Sequence, residues 1–264
     1  MRWAAALLLL GACAQPPVRG GGIVSVNPCA DAMLVRLVAP ERIAAISHYS
    51  RDAGATSIPL AVARRFRATS GTAEEVVALR PDLVLASTFT PPATRAAFAR
   101  AGLRTLYFDS PTTVAASRAQ VIEVAAAVGA PERGWAIVAR MDAALLAHAP
   151  GPGEARPAAL LFIAGELASG SGNLLDELLT RAGFANAAAL YGLRHTGTLP
   201  AELIVTRPPR VILTPEPDGR VAGMRRRLLP RTPIATFPRA LVNCGGPSIA
   251  PALRRLADIR GRVA

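Results

Sequence analysis

Two rhythms of apolar residues alternate along this 264-residue chain. Short unbroken apolar runs bounded by Pro, Asn or Gly read as buried strands. Apolar residues spaced three or four apart read as amphipathic helices. The clearest helical pattern covers 131–148. Pro131 suits a first helical position and Glu132 sets a negative charge at the positive end of the helix dipole, while Trp135, Val138, Met141 and Leu145 share one face. Arg133 and Arg140 lie opposite, and Pro150-Gly151-Pro152-Gly153 cannot continue the helix. Such a helix is about 27 Å long.

Strands and helices alternate on either side of it. Before it, the pattern predicts strands at 23–26, 43–46, 83–86 and 104–108. Helices are expected at 29–38, from a Thr72/Glu75 capping box to Leu79, at 94–101 and at 114–128. After it come strands at 158–163, 211–214 and 240–242, with helices at 174–182, 202–206, 224–229 and 251–259. AEEVVALRPDLVL (73–85) aligns without gaps on AELIVTRPPRVIL (201–213), so the two halves share a unit. The predicted fold class is therefore α/β: two Rossmann-like lobes with parallel sheets, joined by one long rigid helix. The expected boundaries are an N-terminal lobe at 23–112, linking helices at 113–149 and a C-terminal lobe at 150–264.

Charge changes this picture little. All 30 basic residues are arginine and the formal charge is +12, yet the arginines are scattered, and the run Arg225-Arg226-Arg227 reads as a solvated helix face. No nucleic-acid partner is expected. The N-terminus is more informative: Arg2 precedes an apolar stretch too short to cross a bilayer, ending in Leu10-Gly11-Ala12-Cys13. That tetrad resembles a bacterial lipobox. It predicts a signal peptide at 1–12, lipidation of Cys13 and a tether at 13–22, with a mature chain in the periplasm held to the membrane only by its lipid.

No catalytic motif stands out. A Gly-x-Ser-x-Gly elbow, a phosphate-binding Gly-x4-Gly-Lys and a His-Glu-x-x-His are all missing, and Gly170-Ser171-Gly172 lacks the third glycine of a dinucleotide loop. The chain is not expected to be an enzyme. In open parallel sheets, ligands bind beyond the carboxyl ends of the strands. That rule selects Asn27, then His48, Tyr49 and Arg51, then Thr88 and Phe89 from the first half. From the second half it selects Glu166, Ser171 and Glu216, with Tyr191 and Arg194 on a loop that could join them. Tyr49, Phe89 and Tyr191 could stack on a flat ligand, with Tyr49 and Tyr191 facing each other across the cleft. Arg51 and Arg194 could pair with carboxylate or phosphate.

The ordered set IVSVNPCADAML, IAAISHYSRD, EEVVALRPDLVLAS, GSGNLLDELLTRAGFAN, ELIVTRPPRVIL and NCGGPSIAPALRRLA resembles the periplasmic substrate-binding proteins of metal-chelate ABC importers. The resemblance spans 23–260. It implies two α/β lobes bridged by one helix, a chelate such as vitamin B12, a ferric siderophore or haem as ligand, and no cofactor or metal site of the protein's own. It also implies a monomer that delivers its ligand to an ABC permease dimer with its ATPase. Glu74 and Glu202, at matching positions of the repeat, would dock into arginine pockets on the two permease subunits. SHYSRD resembles the B12-binding branch at Tyr49, but Ala68 stands where that branch has a tryptophan, so corrinoid and ferric siderophore remain level, with haem third. A non-transport lipoprotein scaffold or sensor, or an exported enzyme, are the alternatives. Cys29 opens a helix after the first strand and Cys244 precedes the last helix, so both should reach the cleft mouth and could form a disulfide, or stay as two free thiols.

Overall fold

The computed structural model describes residues 21–263. The expected signal peptide, Cys13 and most of the tether lie outside the described residues. The first lobe runs β1 (Ile23–Ser25), α1 (Pro28–Leu37), β2 (Ile43–Ser47), α2 (Leu60–Ala63), β3 (Ala68–Thr69), α3 (Ala73–Ala78), β4 (Leu83–Ser87), α4 (Pro92–Arg100) and β5 (Thr105–Phe108). Two long helices follow, α5 (Val114–Ala127) and α6 (Pro131–Ala147). The second lobe runs β6 (Ala158–Ala164), β7 (Leu167–Ala168), α7 (Leu174–Arg181), β8 (Ala185–Asn186), α8 (Ala187–Leu190) and α9 (Ala201–Thr206). It ends with β9 (Val211–Thr214), α10 (Arg220–Leu228), β10 (Ile234–Thr236) and α11 (Ile249–Val263).

The first sheet has the order β3-β2-β1-β4-β5 and is parallel throughout. In the second, β10, β9, β6 and β8 are parallel, while β7 folds back on β6 as an antiparallel hairpin. The repeat maps onto like elements: α3 and β4 in one lobe, α9 and β9 in the other. Parallel strands are covered on both faces, so they carry unbroken apolar runs: Leu83, Val84 and Leu85 are buried, as are Val211, Ile212 and Leu213.

Some expectations are corrected. Trp135 is 56% exposed, and the buried face of α6 is Gly134, Ile137, Val138, Met141 and Leu145. Val138, Met141 and Leu145 hold that face, but its fourth position is Gly134, because α5 comes too close there for any side chain. A Cβ on Gly134 would fall 2.4 Å from the Ala125 Cβ. The expected strand at 240–242 is a 3-10 turn, Arg239–Leu241, which follows Pro238, a residue with no N–H for a ladder. The last strand is β10, paired with β9. The capping box is half made: Thr72 Oγ1 accepts from the Glu75 N–H at 3.3 Å, but the Glu75 carboxylate takes the Thr69 hydroxyl and Ser70 N–H instead. Those bonds hold its carboxyl below the ordinary range.

The core does not stop at the lobe boundary. One apolar cluster joins Leu34 and Leu37 of α1 with Val121 and Val124 of α5, Ile137 and Met141 of α6 and Leu253 and Leu256 of α11. Within the first lobe a carboxylate is fully buried: Asp31 of α1 accepts the Ser47 N–H at 3.0 Å and the Ser50 hydroxyl at 2.6 Å. Desolvation by burial outweighs these bonds and raises its pKa from 3.8 to about 7.

Two measurements check this packing. Gly134→Ala gains about 1 kcal/mol in helix propensity but overpacks the α5–α6 contact by about 1–3 kcal/mol. The urea midpoint should therefore fall, and a midpoint that rises would contradict the close approach. For Asp31, a raised folded pKa means stability that is full below pH 4 and lost as pH rises through 7. Over that window the loss is about 4 kcal/mol, at about 1.4 kcal/mol per pKa unit. Asp31→Asn should remove that part of the pH dependence and raise the thermal midpoint at pH 8; an unchanged pH profile would refute it.

Candidate functional site

A cavity of about 230 Å³ lies where the carboxyl ends of strands from both lobes converge. The first lobe contributes Asn27 after β1, Ser87 at the end of β4 and the Phe108–Thr112 segment leaving β5. The second contributes Ser169, Asn173 and Thr196, α5 adds Gln120, and the strap Val242–Gly245 closes one side. A wider basin of about 810 Å³ shares Phe108–Thr112 and Gln120 with it and adds Thr88, Phe89 and Glu123.

Local chemistry holds each wall. Asn27 caps α1, its Oδ1 accepting from the N–H groups of Cys29 at 2.8 Å and Ala30 at 3.2 Å. Asn173 caps α7 in the same way and donates to the Gly170 carbonyl at 3.2 Å. Asn186 braces that loop from behind, donating to the carbonyls of Ser169 and Gly170 and to Asp176. Gly170 is required by close approach, since a Cβ there would lie 2.2 Å from the His195 carbonyl oxygen.

The strap belongs to the second lobe in sequence but is fastened to the first. Asn243 donates to the carbonyls of Gly54 and Ala55, and the Gly246 N–H donates to Ser117 of α5 at 2.6 Å. Cys244 is bonded to Cys29, with Cα atoms 5.3 Å apart, and both half-cystines line the cavity.

The candidate residues separate into groups. Asn27 lines the cavity, and Thr88 and Phe89 line the basin, Phe89 being 78% exposed. Ser171 sits beside the wall, its hydroxyl donating to the Arg194 carbonyl at 3.5 Å, and the Arg194 side chain is exposed. The turn His48–Arg51 follows β2, at the same end of the sheet. There His48 and Tyr49 stack with ring centroids 4.0 Å apart and Tyr49 is 51% exposed. His48 Nδ1 lies 3.2 Å from the Thr69 carbonyl oxygen and Arg51 donates to the Phe66 carbonyl, and none of His48, Tyr49 and Arg51 lines the cavity or the basin.

Tyr191 does not face Tyr49 with its hydroxyl, which donates to the Arg207 carbonyl at the foot of α9. Its ring packs in the second lobe, where burial pushes the phenol above its usual pKa. Glu216 is paired with Arg239. Glu166 lines a separate apolar groove between α9 and α10, beside Arg225, whose guanidinium stacks 3.3 Å over Phe162 and is pulled down by burial to about 10.

Sequence reasoning missed Asp109, Ser110, Thr112 and Gln120. The strand-end rule that found Asn27 would have found the first three had it been applied to β5 as well. Asp109 is the one ionisable side chain lining the cavity among the described residues. Its carboxylate accepts the Thr88 hydroxyl, and its carbonyl accepts Gln120 Nε2 at 2.6 Å. The remaining polar lining consists of amides and hydroxyls that can donate and accept but carry no charge.

Comparison with known proteins agrees with this geometry. The chain resembles the haem-binding protein RhuT from Roseiflexus sp. RS-1 at 22% identity, covering 90% of this chain and 98% of that one with a TM-score of 0.71. The haem-binding protein HutB of Vibrio cholerae is similar at 16% identity, over 91% of this chain and 98% of that one, with a TM-score of 0.74. The vitamin B12-binding protein BtuF of Vibrio cholerae gives 16% identity over 91% and 96% of the two chains, with a TM-score of 0.70. No curated protein sequence matches. At these identities the likeness is one of fold. The periplasmic binding protein family model matches residues 23–227. A two-lobed α/β chain with a strand-end cavity, matched over most of its length by that model, belongs to the periplasmic binding protein family, whose members bind ligands and are not enzymes.

Proposed function

We propose that this protein is the substrate-binding lipoprotein of an ABC importer and that it captures an uncharged, amide- or hydroxyl-rich metal chelate, a corrinoid before a ferric siderophore. The observation that carries the choice is the cavity lining. On a chain of net charge +12, the described residues give the cavity amides, hydroxyls and one carboxylate and no guanidinium. Anionic chelates, and the propionates of haem, would meet Asp109 in the cavity and Glu123 in the basin without an opposing cation. A ligand bearing many amides would meet the side-chain groups that structural bonds leave open: Asn27 Nδ2, Asn243 Oδ1 and Gln120 Oε1. Unpaired buried polar groups are costly, so this matching favours specificity for such a ligand. The half-exposed Tyr49 beside His48 supports haem as the second reading, with Tyr49 or His48 as iron ligand.

Titration of the delipidated protein with cyanocobalamin, a neutral ferric hydroxamate, an anionic ferric catecholate and haemin separates these readings. The neutral chelates should bind, and Gln120→Leu should weaken them by about 1–3 kcal/mol through a lost hydrogen bond at Oε1. Binding of the anionic catecholate alone would overturn the assignment. Haemin binding abolished by Tyr49→Phe would select the second reading.

The permease reading rests on Glu74 and Glu202. Both are exposed at the second position of like helices, α3 and α9, and neither forms an ion pair among the described residues. A charge at a helix N-terminus is worth about 0.3–1 kcal/mol to the helix alone, so a structural role predicts a small stability effect. Glu74→Arg with Glu202→Arg should leave chelate affinity unchanged and abolish uptake. Normal uptake by the double variant would favour the scaffold or sensor reading.

A further inference from the structure

Asp31 is fully buried in the first turn of α1, and its Oδ1 has no hydrogen-bond partner among the described residues. The arrangement is expensive, because an asparagine could accept the same Ser47 and Ser50 bonds without a buried charge. What distinguishes the position is what it touches. Through Oδ2 it holds Ser47 and Ser50, which bracket the turn carrying His48 and Tyr49. On its other side is Ser25, whose hydroxyl donates to the Asn27 carbonyl at 3.1 Å and accepts the Asn27 N–H at 3.4 Å. One carboxyl group therefore stands behind two segments at the carboxyl edge of the first sheet, and Asn27 in one of them lines the cavity.

Among the described residues, no charged side chain opposes it. β1 presents Ser25, while β2 and its turn present Ser47 and Ser50. His48 and Arg51 of that turn are directed to the carbonyls of Thr69 and Phe66. The 3-10 turn Gly246–Ser248 packed on α1 has no ionisable residue. On α1 itself Cys29 is in the disulfide and Arg36 donates to the Ala32 carbonyl. From α5 and α6, Arg118 pairs with Asp142 and Arg133 donates to the Leu37 carbonyl. Burial, opposed only by the lowering bonds from Ser25, Ser50 and Ser47, thus raises the titration to about 7.

We propose that Asp31 is a proton-linked positioning residue: ionised, it holds the Tyr49 turn and Asn27 in the binding arrangement, and protonated, it loosens both. The proton is taken up at the unpartnered Oδ1. The neutral carboxyl is a weaker acceptor for Ser47 and Ser50, because charge-assisted bonds are the stronger ones. Its new O–H competes with the Asn27 N–H for the Ser25 oxygen. Ligand affinity accordingly falls as pH drops through neutrality. This inference rests on the reading of the cavity as the chelate site.

The test follows the Ser47 and Tyr49 amide resonances from pH 5.5 to 8.5, with cyanocobalamin affinity measured in parallel. Both amides should shift with a midpoint near 7, and affinity should weaken about fivefold or more toward the acid end. Asp31→Asn should abolish the shifts and flatten the affinity profile. Ser50→Ala, which removes one bond favouring the ionised form, should move the midpoint to higher pH and serves if Asp31→Asn fails to fold. Static amides, shifts that persist in Asp31→Asn, or an unmoved midpoint in Ser50→Ala would overturn the proposal. If cyanocobalamin binds at no pH, the corrinoid reading falls. Co-titration of Ser47 and Tyr49 then sustains the positioning role, and a silent Tyr49 overturns it.

Discussion

The contact between α5 and α6 at Gly134 and Ala125 constrains everything around it. With no side chain on one helix and a single methyl on the other, the two helices approach too closely there to admit a second Cβ. Since α5 leaves the first sheet and α6 feeds the second, this seam fixes how far apart the two sets of strand ends stand. The strap from the second lobe then returns over it, its Gly246 N–H on Ser117 of α5 and its Cys244 on α1. The cavity is bounded by elements that pack on this one seam. Because the apolar core runs through it without a break, wide hinge closure would have to expose Val121, Ile137 and Met141 to water.

The contrast between a basic protein and an acidic, mostly uncharged cavity has a structural origin. Many arginines serve as clamps on backbone carbonyls at the ends of other elements: Arg42 on Val128, Arg133 on Leu37, Arg210 on Val263, Arg239 on Ile163 and Arg255 on Thr236. Carbonyls at helix ends lack intrahelical partners, and a guanidinium offers five donors on a long stem that can reach them. The positive charge is thereby spent on holding distant segments together, and net charge says little about what the protein binds.

Legibility in the sequence follows from how local each determinant is. The long strands β1, β2, β4, β5, β6 and β9 and the repeat of α3–β4 in α9–β9 are readable because apolar runs and capping residues act within a few positions, whereas the two-residue strands β3, β7 and β8 are too short to show a pattern. The burial of α6 was misread at Trp135 because bulk was taken for inwardness, whereas the closest helix contact demands the smallest residue, Gly134. β10 is hidden because a three-residue strand flanked by Pro233 and Pro238 shows no period, and its stability comes from parallel pairing with β9. In the site, Asn27, Thr88 and Phe89 followed from strand ends. Tyr191 did not, because its hydroxyl is claimed by a carbonyl sixteen positions further on, Arg207, and no local pattern announces that bond.

The bond between Cys29 and Cys244 also sets an order of events during biogenesis. The chain has three cysteines, and the partner of Cys29 is made 215 positions after it. Throughout that interval the nearer thiol, Cys13, is the competitor, and loop closure over so short a distance is entropically the easier reaction. Conversion of the Cys13 sulfur to a thioether would take it out of thiol–disulfide exchange altogether. If Cys13 carries the lipid that the tetrad Leu10–Cys13 predicts, that lipid would do more than tether the protein: it would leave Cys29 a single intramolecular mate and make the native crosslink the default.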